Sequence, residues 1–152
     1  MEKTILILDL DGVLITTPSW KADEIAPDGY SVFNKKCVDN LNNLLSKSAF
    51  DIWLSSTRRT VKSLEEFNTI FENRNIKEPI IGFLPEYENC KSRADEVVRF
   101  IEEFEILNFI ILDDDKSLNG IKENYKKQLV LTELQKGFDN EKLKIAIEKI
   151  KK

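Results

Sequence analysis

The chain has 152 residues, 41% of them hydrophobic and 33% charged, with a formal net charge of −4. That length and balance predict one soluble globular domain whose core needs no disulfide, and the acidic excess argues against a general nucleic-acid binder while leaving room for a local basic pocket. Histidine is absent, which excludes Ser-His-Asp and Cys-His catalysis and histidine-ligated zinc, and leaves carboxylates as the acids, bases and metal ligands. Cys37 and Cys90 are far apart, without a metal-ligand partner nearby, and read as reduced thiols. No apolar run approaches the ~20 residues of a membrane span, and the first residues lack the long apolar core of a secretory signal. The expectation is a cytoplasmic protein without membrane contact.

Taken in chain order, the first apolar run covers 4–8 and ends in Asp9, with Asp11 two positions on and Gly12 after it. Side chains two apart in an extended chain share a face, so both carboxylates project together from a strand end while Gly12 lets the backbone turn. Two carboxylates that close repel unless a cation or a shared proton intervenes. The pair reads as a metal site containing a nucleophile or as an acid/base couple, against the plainer reading of a polar strand end entering an Asp-Gly turn. Residues 15–31, with Pro18, Pro27, Asp28 and Gly29, form the only long irregular stretch, and long loops in compact domains often serve as lids or binding loops.

A helical pattern follows over about 33–47 (Phe33, Cys37, Leu41, Leu44, Leu45), then a strand over 50–54 running into Ser55-Ser56-Thr57-Arg58-Arg59. A second helix is predicted over about 60–74 and a strand over 79–84. Cys90-Lys91-Ser92-Arg93 opens a third helix over about 92–105. The strand at 107–112 ends in Asp113-Asp114-Asp115, a further strand lies at 128–131, and a last helix spans about 139–150 with Asp139 as its N-cap. Alternating strands and helices, the strands almost continuously apolar, predict a doubly wound, Rossmann-like α/β fold: a parallel five-stranded sheet with helices on both faces. In such sheets ligands bind beyond the carboxyl ends of the strands. Taken singly, Ser55 to Thr57 read equally as a helix cap, Lys91 and Arg93 as solvated charges, and the triple aspartate as a polar turn. Together they set carboxylates, hydroxyls and cations on one rim, as Mg²⁺-assisted phosphoryl chemistry requires.

Asp9-Leu10-Asp11-Gly12-Val13-Leu14, Ser55 after Ile52-Trp53-Leu54, Lys91 or Arg93, and Asp113-Asp114 after Ile110-Ile111-Leu112 resemble, in order and spacing, the four motifs of the haloacid dehalogenase (HAD) superfamily of phosphohydrolases. Trp53-Leu54-Ser55-Ser56-Thr57-Arg58, Arg93-Ala94-Asp95-Glu96-Val97, Leu129-Val130-Leu131-Thr132 and Lys136-Gly137-Phe138 are similar to a HAD subgroup related to RNA-repair proteins. The resemblance implies Asp9 as nucleophile forming an aspartyl-phosphate, and Asp11 as general acid and then base, protonated at the outset because Asp9 lies beside it. It implies Mg²⁺ held by Asp9, the backbone carbonyl of Asp11 and Asp114, with Asp113 orienting the site. Ser55 would hydrogen-bond the phosphoryl group. Lys91 is favoured as the cation that offsets its charge, since the superfamily usually has a lysine at the start of this helix; the subgroup pattern offers Arg93 instead.

Ser56, Thr57, Arg58, Arg59 and Arg93 are further candidates for binding substrate, the paired arginines as bidentate phosphate donors, against the reading of a helix start with exposed charges. Neither the stretch from Gly12 to Ser55 nor that from Ser55 to Lys91 has room for the cap domain many relatives insert, so one domain over 1–152 with an open site is expected, closed at most by the 15–31 loop with Trp20 and Tyr30. An open site suits a phosphorylated nucleic-acid end or nucleotide, a phosphoprotein, or a homo-oligomer whose partner subunit acts as lid. A response-regulator receiver is disfavoured because its lysine comes after the strand that here carries the last acidic pair. A non-catalytic binding module and a phosphotransferase are the remaining alternatives.

Overall fold

A computed structural model describes residues 3–151. Five strands, β1 (Thr4–Leu8), β2 (Phe50–Leu54), β3 (Ile80–Phe83), β4 (Phe109–Asp113) and β5 (Leu129–Leu131), form one sheet in the order β3-β2-β1-β4-β5. Every pairing is parallel. The α-helices are α1 (Lys35–Leu45), α2 (Leu64–Asn73), α3 (Arg93–Glu103), the single turn α4 (Glu123–Lys126) and α5 (Asn140–Ile150). This is the expected doubly wound α/β architecture. No helix among the described residues is long and apolar enough to cross a membrane.

Period-two alternation divides each strand's side chains between the two layers. Leu6, Leu8, Ile52, Leu54, Ile110 and Leu112 enter one core with Leu41 and Leu44 of α1, Phe67 and Phe71 of α2, and Ala146 of α5. Ile7, Phe109, Ile111 and Leu129 enter the other with Val97, Phe100 and Ile101 of α3. Both faces of β1 and β4 are therefore dry, which is why those runs read as continuously apolar instead of alternating.

Helix ends differ from the sequence expectation where capping intervenes. Ser63 and Glu66 form a capping box that starts α2 at Leu64, and Thr57–Thr60 ahead of it is a separate 3-10 turn capped by Ser56. Asn34 caps α1, Ser92 caps α3, and Asp139 caps α5 as expected. A second 3-10 turn, Lys116–Gly120, and α4 were not expected, being too short to carry a periodic apolar signal.

Residues 9–34 contain no helix or strand, only isolated bridges such as Ile25 to Ser31. The segment is nonetheless fastened. The guanidinium of Arg74, at the end of α2, donates to both oxygens of Asp28 and to the carbonyls of Tyr30 and Ser31, and holds the Asp28 carboxyl well below the usual range. Tyr30, expected as part of a lid, is buried edge-on against Phe33 and Phe67, whereas Trp20 is 78% exposed.

The stretch after β5 returns to this region. Thr132 Oγ1 donates to the Gly12 carbonyl, and Phe138 N–H to that of Val13. Gly137 makes the approach with φ +61°; a Cβ there would lie 2.7 Å from the Val13 oxygen and 2.8 Å from Cys37 Sγ. Gly137→Ala combines left-handed strain with a backbone clash and is expected to cost about 2 kcal/mol or more, read as a lowered urea midpoint with unchanged m-value.

Candidate functional site

The register builds the site. Leu8 pairs with Leu54 on one side and Leu112 on the other, so the following residues, Asp9 and Ser55, and Asp113 at the end of β4, stand in a row across three adjacent strands. Backbone bonds continue the ladder one step further: Asp9 N–H to the Leu112 carbonyl at 3.0 Å and Ser55 N–H to that of Leu8 at 2.8 Å. The strand order reverses between β1 and β4, making this the switch point where such sheets bind ligands.

Asp9 is 3% exposed and Asp113 fully buried. Together with the half-buried Asp114, they bring one oxygen each within 4.8 Å of one another. Burial, and then the neighbouring Asp113, raises Asp9 well above the usual carboxylate range. The same two causes in the same order push Asp114 up to about 6. Gly12, with φ +80°, leaves the space Asp114 occupies: a Cβ there would fall 2.2 Å from Asp114 Oδ2. A concentration of buried carboxylate that resists ionising calls for a cation, and an all-oxygen donor set suits a hard one such as Mg²⁺.

Part of that charge is supplied within the chain. Arg93 Nη1 donates to Asp113 Oδ2 at 2.7 Å and lies 3.4 Å from Asp9 Oδ2. Burial opposes its charge, but Asp113 and Asp9 hold it protonated well above its ordinary value. Lys91, the favoured cation on sequence, is exposed and its backbone N–H donates to Asp95; the structure sets Arg93 beside the carboxylates instead. The reason is capping. Ser92 accepts from Asp95 N–H, so the helix begins at Arg93, and Lys91 lies outside the first turn. Ser92 followed three places on by Asp95 was the legible signal. Asp113 Oδ1 accepts from Asp115 N–H while Oδ2 takes Arg93, which leaves Asp114 as the freer oxygen donor of the two.

Ser55 Oγ is buried without a hydrogen-bond partner among the described residues. An orphaned buried hydroxyl costs about 1–3 kcal/mol, so it marks a place for a ligand oxygen. Ser56 is also buried and accepts from Arg58 N–H as the cap of the 3-10 turn. The cap reading, open on sequence for Ser55 to Thr57, thus falls to Ser56. Thr57 is exposed.

The paired arginines depart most from expectation. Arg58 donates Nε to Asp11 Oδ2 and Nη2 to Asp11 Oδ1, both at 2.8 Å. Its remaining donors go to Asp23 at 2.9 Å, Ser31 Oγ at 3.2 Å and Tyr30 OH at 3.3 Å. Arg59 is 5% exposed, donating to the carbonyls of Leu84, Ser55, Ser56 and Pro85 and to Glu96. Neither is a free phosphate donor. Arg59 ties the end of β2 to the residues after β3 and to α3, and Arg58 grips the carboxylate expected to be the acid/base. Asp23, Ser31 and Glu96, which shares its oxygens between Arg59 and Arg93, were not expected. Their role rests on long-range folding of a loop and on helix spacing, which no local motif announces.

A parallel sheet ordered 3-2-1-4-5, with an aspartate after its central strand and a paired aspartate at the end of the next, defines a HAD-type phosphohydrolase domain. The chain belongs to the family described as the HAD domain in Swiss Army Knife RNA repair proteins, which matches residues 5–143. No curated protein and no solved structure matches the chain.

The raised Asp9 and Asp114 carboxyls make stability depend on pH. A carboxyl whose pKa is higher in the fold stabilises it while protonated and loses that contribution as pH rises through the folded value. Asp114 places this window between 3.8 and about 6; the lowered Asp23 and Asp28 act below it. In EDTA, the melting temperature should therefore rise by about 3 °C or more between about pH 7.5 and about pH 5. Mg²⁺ should raise it at the upper pH and flatten the profile, and Asp114→Asn should flatten it without metal.

Proposed function

We propose that the chain is a Mg²⁺-dependent phosphomonoester hydrolase that works through an aspartyl-phosphate on Asp9. The observation that carries this reading is the convergence of Asp9, Asp113 and Asp114 beside the buried Arg93. Asp9, Asp114 and the Asp11 carbonyl would hold the metal, which when bound supplies charge neutralisation for the phosphoryl oxygens and the attacking carboxylate.

The chain's own groups do the rest. An Asp9 oxygen attacks phosphorus in line, the ester P–O bond breaks, and Asp11, turned away from the Arg58 guanidinium that here holds both its oxygens, gives a proton to the leaving oxygen. Water then attacks phosphorus, the acyl-phosphate bond breaks to free Asp9, and Asp11 takes the water's proton. Ser55 Oγ supplies a hydrogen bond to a phosphoryl oxygen, and Arg93 offsets charge near Asp9 while fixing Asp113. Asp11's side chain is 44% exposed against 4% for Asp9, which suits a group that meets both leaving group and water.

The segment between β1 and α1 carries no cap fold, so the site is read as open and the substrate as a phosphate on a large carrier. The family's RNA-repair context favours a nucleic-acid end. Such a substrate finds binding energy along an extended surface instead of within enclosing walls. Arg58 and Arg59, both fully engaged, do not contribute to that surface.

Purified protein should hydrolyse para-nitrophenyl phosphate with Mg²⁺ and lose activity in EDTA. Asp9→Asn should reduce turnover by at least about a thousandfold while keeping the fold and melting no lower than wild type, since a repelling carboxylate is removed. Asp114→Ala should need much more Mg²⁺. Mass spectrometry of acid-quenched enzyme should find one added phosphoryl group, absent from Asp9→Asn. Retention of Mg²⁺-dependent turnover by that variant would take the nucleophile's role from Asp9.

A further inference from the structure

In the structure the Asp11 carboxyl is already taken. Arg58 Nε donates to its Oδ2 and Nη2 to its Oδ1, both at 2.8 Å, a two-point grip in which each oxygen faces a group that only donates. Segment 15–31 holds the same guanidinium from behind. Nη2 donates to Asp23 Oδ2 at 2.9 Å, and Nη1 to Ser31 Oγ at 3.2 Å and Tyr30 OH at 3.3 Å. Asp23 is fixed in turn by Ser31 Oγ, which donates to its Oδ2 at 2.6 Å. Asp11 contributes no oxygen to the cluster of Asp9, Asp113 and Asp114. The group assigned as acid and base is therefore bound to the loop side of the site, apart from the carboxylates at the strand ends.

Resting on the phosphatase reading, we propose that the Arg58–Asp11 pair is an autoinhibitory latch: it keeps Asp11 out of the reaction in the unliganded protein, and each turnover requires Asp11 to rotate out of the fork. The surroundings suit a contact that opens. Asp11's side chain is 44% exposed, which gives it room to turn on a backbone fixed by Gly12 N–H to the Ile15 carbonyl. Arg58 stays in place when Asp11 leaves, because its bonds to Asp23, Ser31 and Tyr30 do not involve Asp11. Asp23 also leaves the guanidinium with a counter-charge, which lowers the penalty that breaking an ion pair from one side carries. The planar fork thus remains aimed and recloses on Asp11 once the site empties. Proton donation is slowed by the weight of about one charge-assisted hydrogen bond, on the order of tenfold.

The test cuts the latch and reads the proton step alone. Single-turnover phosphoryl transfer with Mg²⁺ is measured from two probes. Benzyl phosphate has a strongly basic leaving oxygen that needs a proton, whereas para-nitrophenyl phosphate has a weakly basic one that hardly does. Loss of a cation near the site acts on both, so their ratio isolates Asp11. Arg58→Met, which has no donor, should raise the benzyl-to-nitrophenyl ratio by about tenfold. Arg58→Lys, which keeps the charge but has no fork, should raise it by less, and carries the test if Arg58→Met does not fold. Asp28→Asn loosens the same segment at Arg74 without touching Arg58 or Asp11 and should leave the ratio unchanged. A ratio unmoved or lowered by loss of Arg58, or raised equally by Asp28→Asn, overturns the proposal.

A second readout needs no turnover. Among the described residues Arg58 Nε–H donates to Asp11 Oδ2 alone, so it reports the latch directly. In ¹H–¹⁵N spectra it should exchange slowly with solvent in the free protein and fast in Asp11→Ala. Mg²⁺ with beryllofluoride, a mimic of the phosphoryl group on an aspartate, should also make it exchange fast. Equal protection with and without beryllofluoride in active protein overturns the latch. Wild type and Arg58→Met both inert to both phosphates would sink the phosphatase reading and the latch with it, whereas active protein with an unmoved ratio sinks the latch alone.

Discussion

Three adjacent parallel strands in matched register force Asp9 and Asp113 into one dry corner, and Arg93 is the cation that makes this tolerable. Two buried carboxylates without a counter-charge would neutralise or unfold the strand ends. Arg93 is itself buried, with 8% of its side chain exposed, and removing it would leave the carboxylates without their counter-charge, a loss that typically costs about 3–5 kcal/mol. The capped start of α3 thereby becomes a fixed reference for the site. Glu96, one turn along the same helix, extends the tie to Arg59 and from there to the ends of β2 and β3.

Neighbouring arginines have taken opposite assignments because both lie in one 3-10 turn, where successive side chains point about 120° apart. Arg59 points into protein and satisfies carbonyls left unpaired at two strand ends, a use that a planar, always-charged fork serves better than lysine. Arg58 points towards the site and gathers the carboxylates of Asp11 and Asp23. Arg74 repeats the pattern further out, binding Asp28 and two carbonyls of the same irregular segment. Three buried or half-buried guanidiniums thus replace regular secondary structure in fixing how the loops around the strand ends lie.

The strands were legible because burial on both faces leaves no room for polar residues in β1 and β4, and the position of Asp9 at a strand end followed from where those runs stop. The acidic set was legible for the same reason, since Asp9 and Asp113-Asp114 are the first polar residues after apolar stretches. Cations were less so. Lys91 and Arg93 differ by two positions, and only the Ser92 cap, a feature of one hydrogen bond to Asp95 N–H, decides which enters the helix. Arg58 and Arg59 looked alike in sequence because side-chain direction inside a single 3-10 turn depends on partners 25 to 47 residues away. Asp23 had no signature: its role comes from the path of a segment without periodicity.

The same division separates the carboxylates by how they are mounted. Asp9, Ser55 and Asp113 are mounted on the sheet, where backbone hydrogen bonds tie them to neighbouring strands: Asp9 N–H to the Leu112 carbonyl, Ser55 N–H to that of Leu8, and Thr132 N–H to that of Asp113. Asp11 sits one turn beyond the sheet, in a turn closed by Gly12 N–H on the Ile15 carbonyl, and its side chain is held by Arg58. On the phosphatase reading proposed above, rigid mounting would give precision to the attack on phosphorus, and the carboxylate beyond the sheet would be the one free to turn. Arg58 and the loop residues around it could then vary without disturbing the corner where Arg93 holds Asp9 and Asp113.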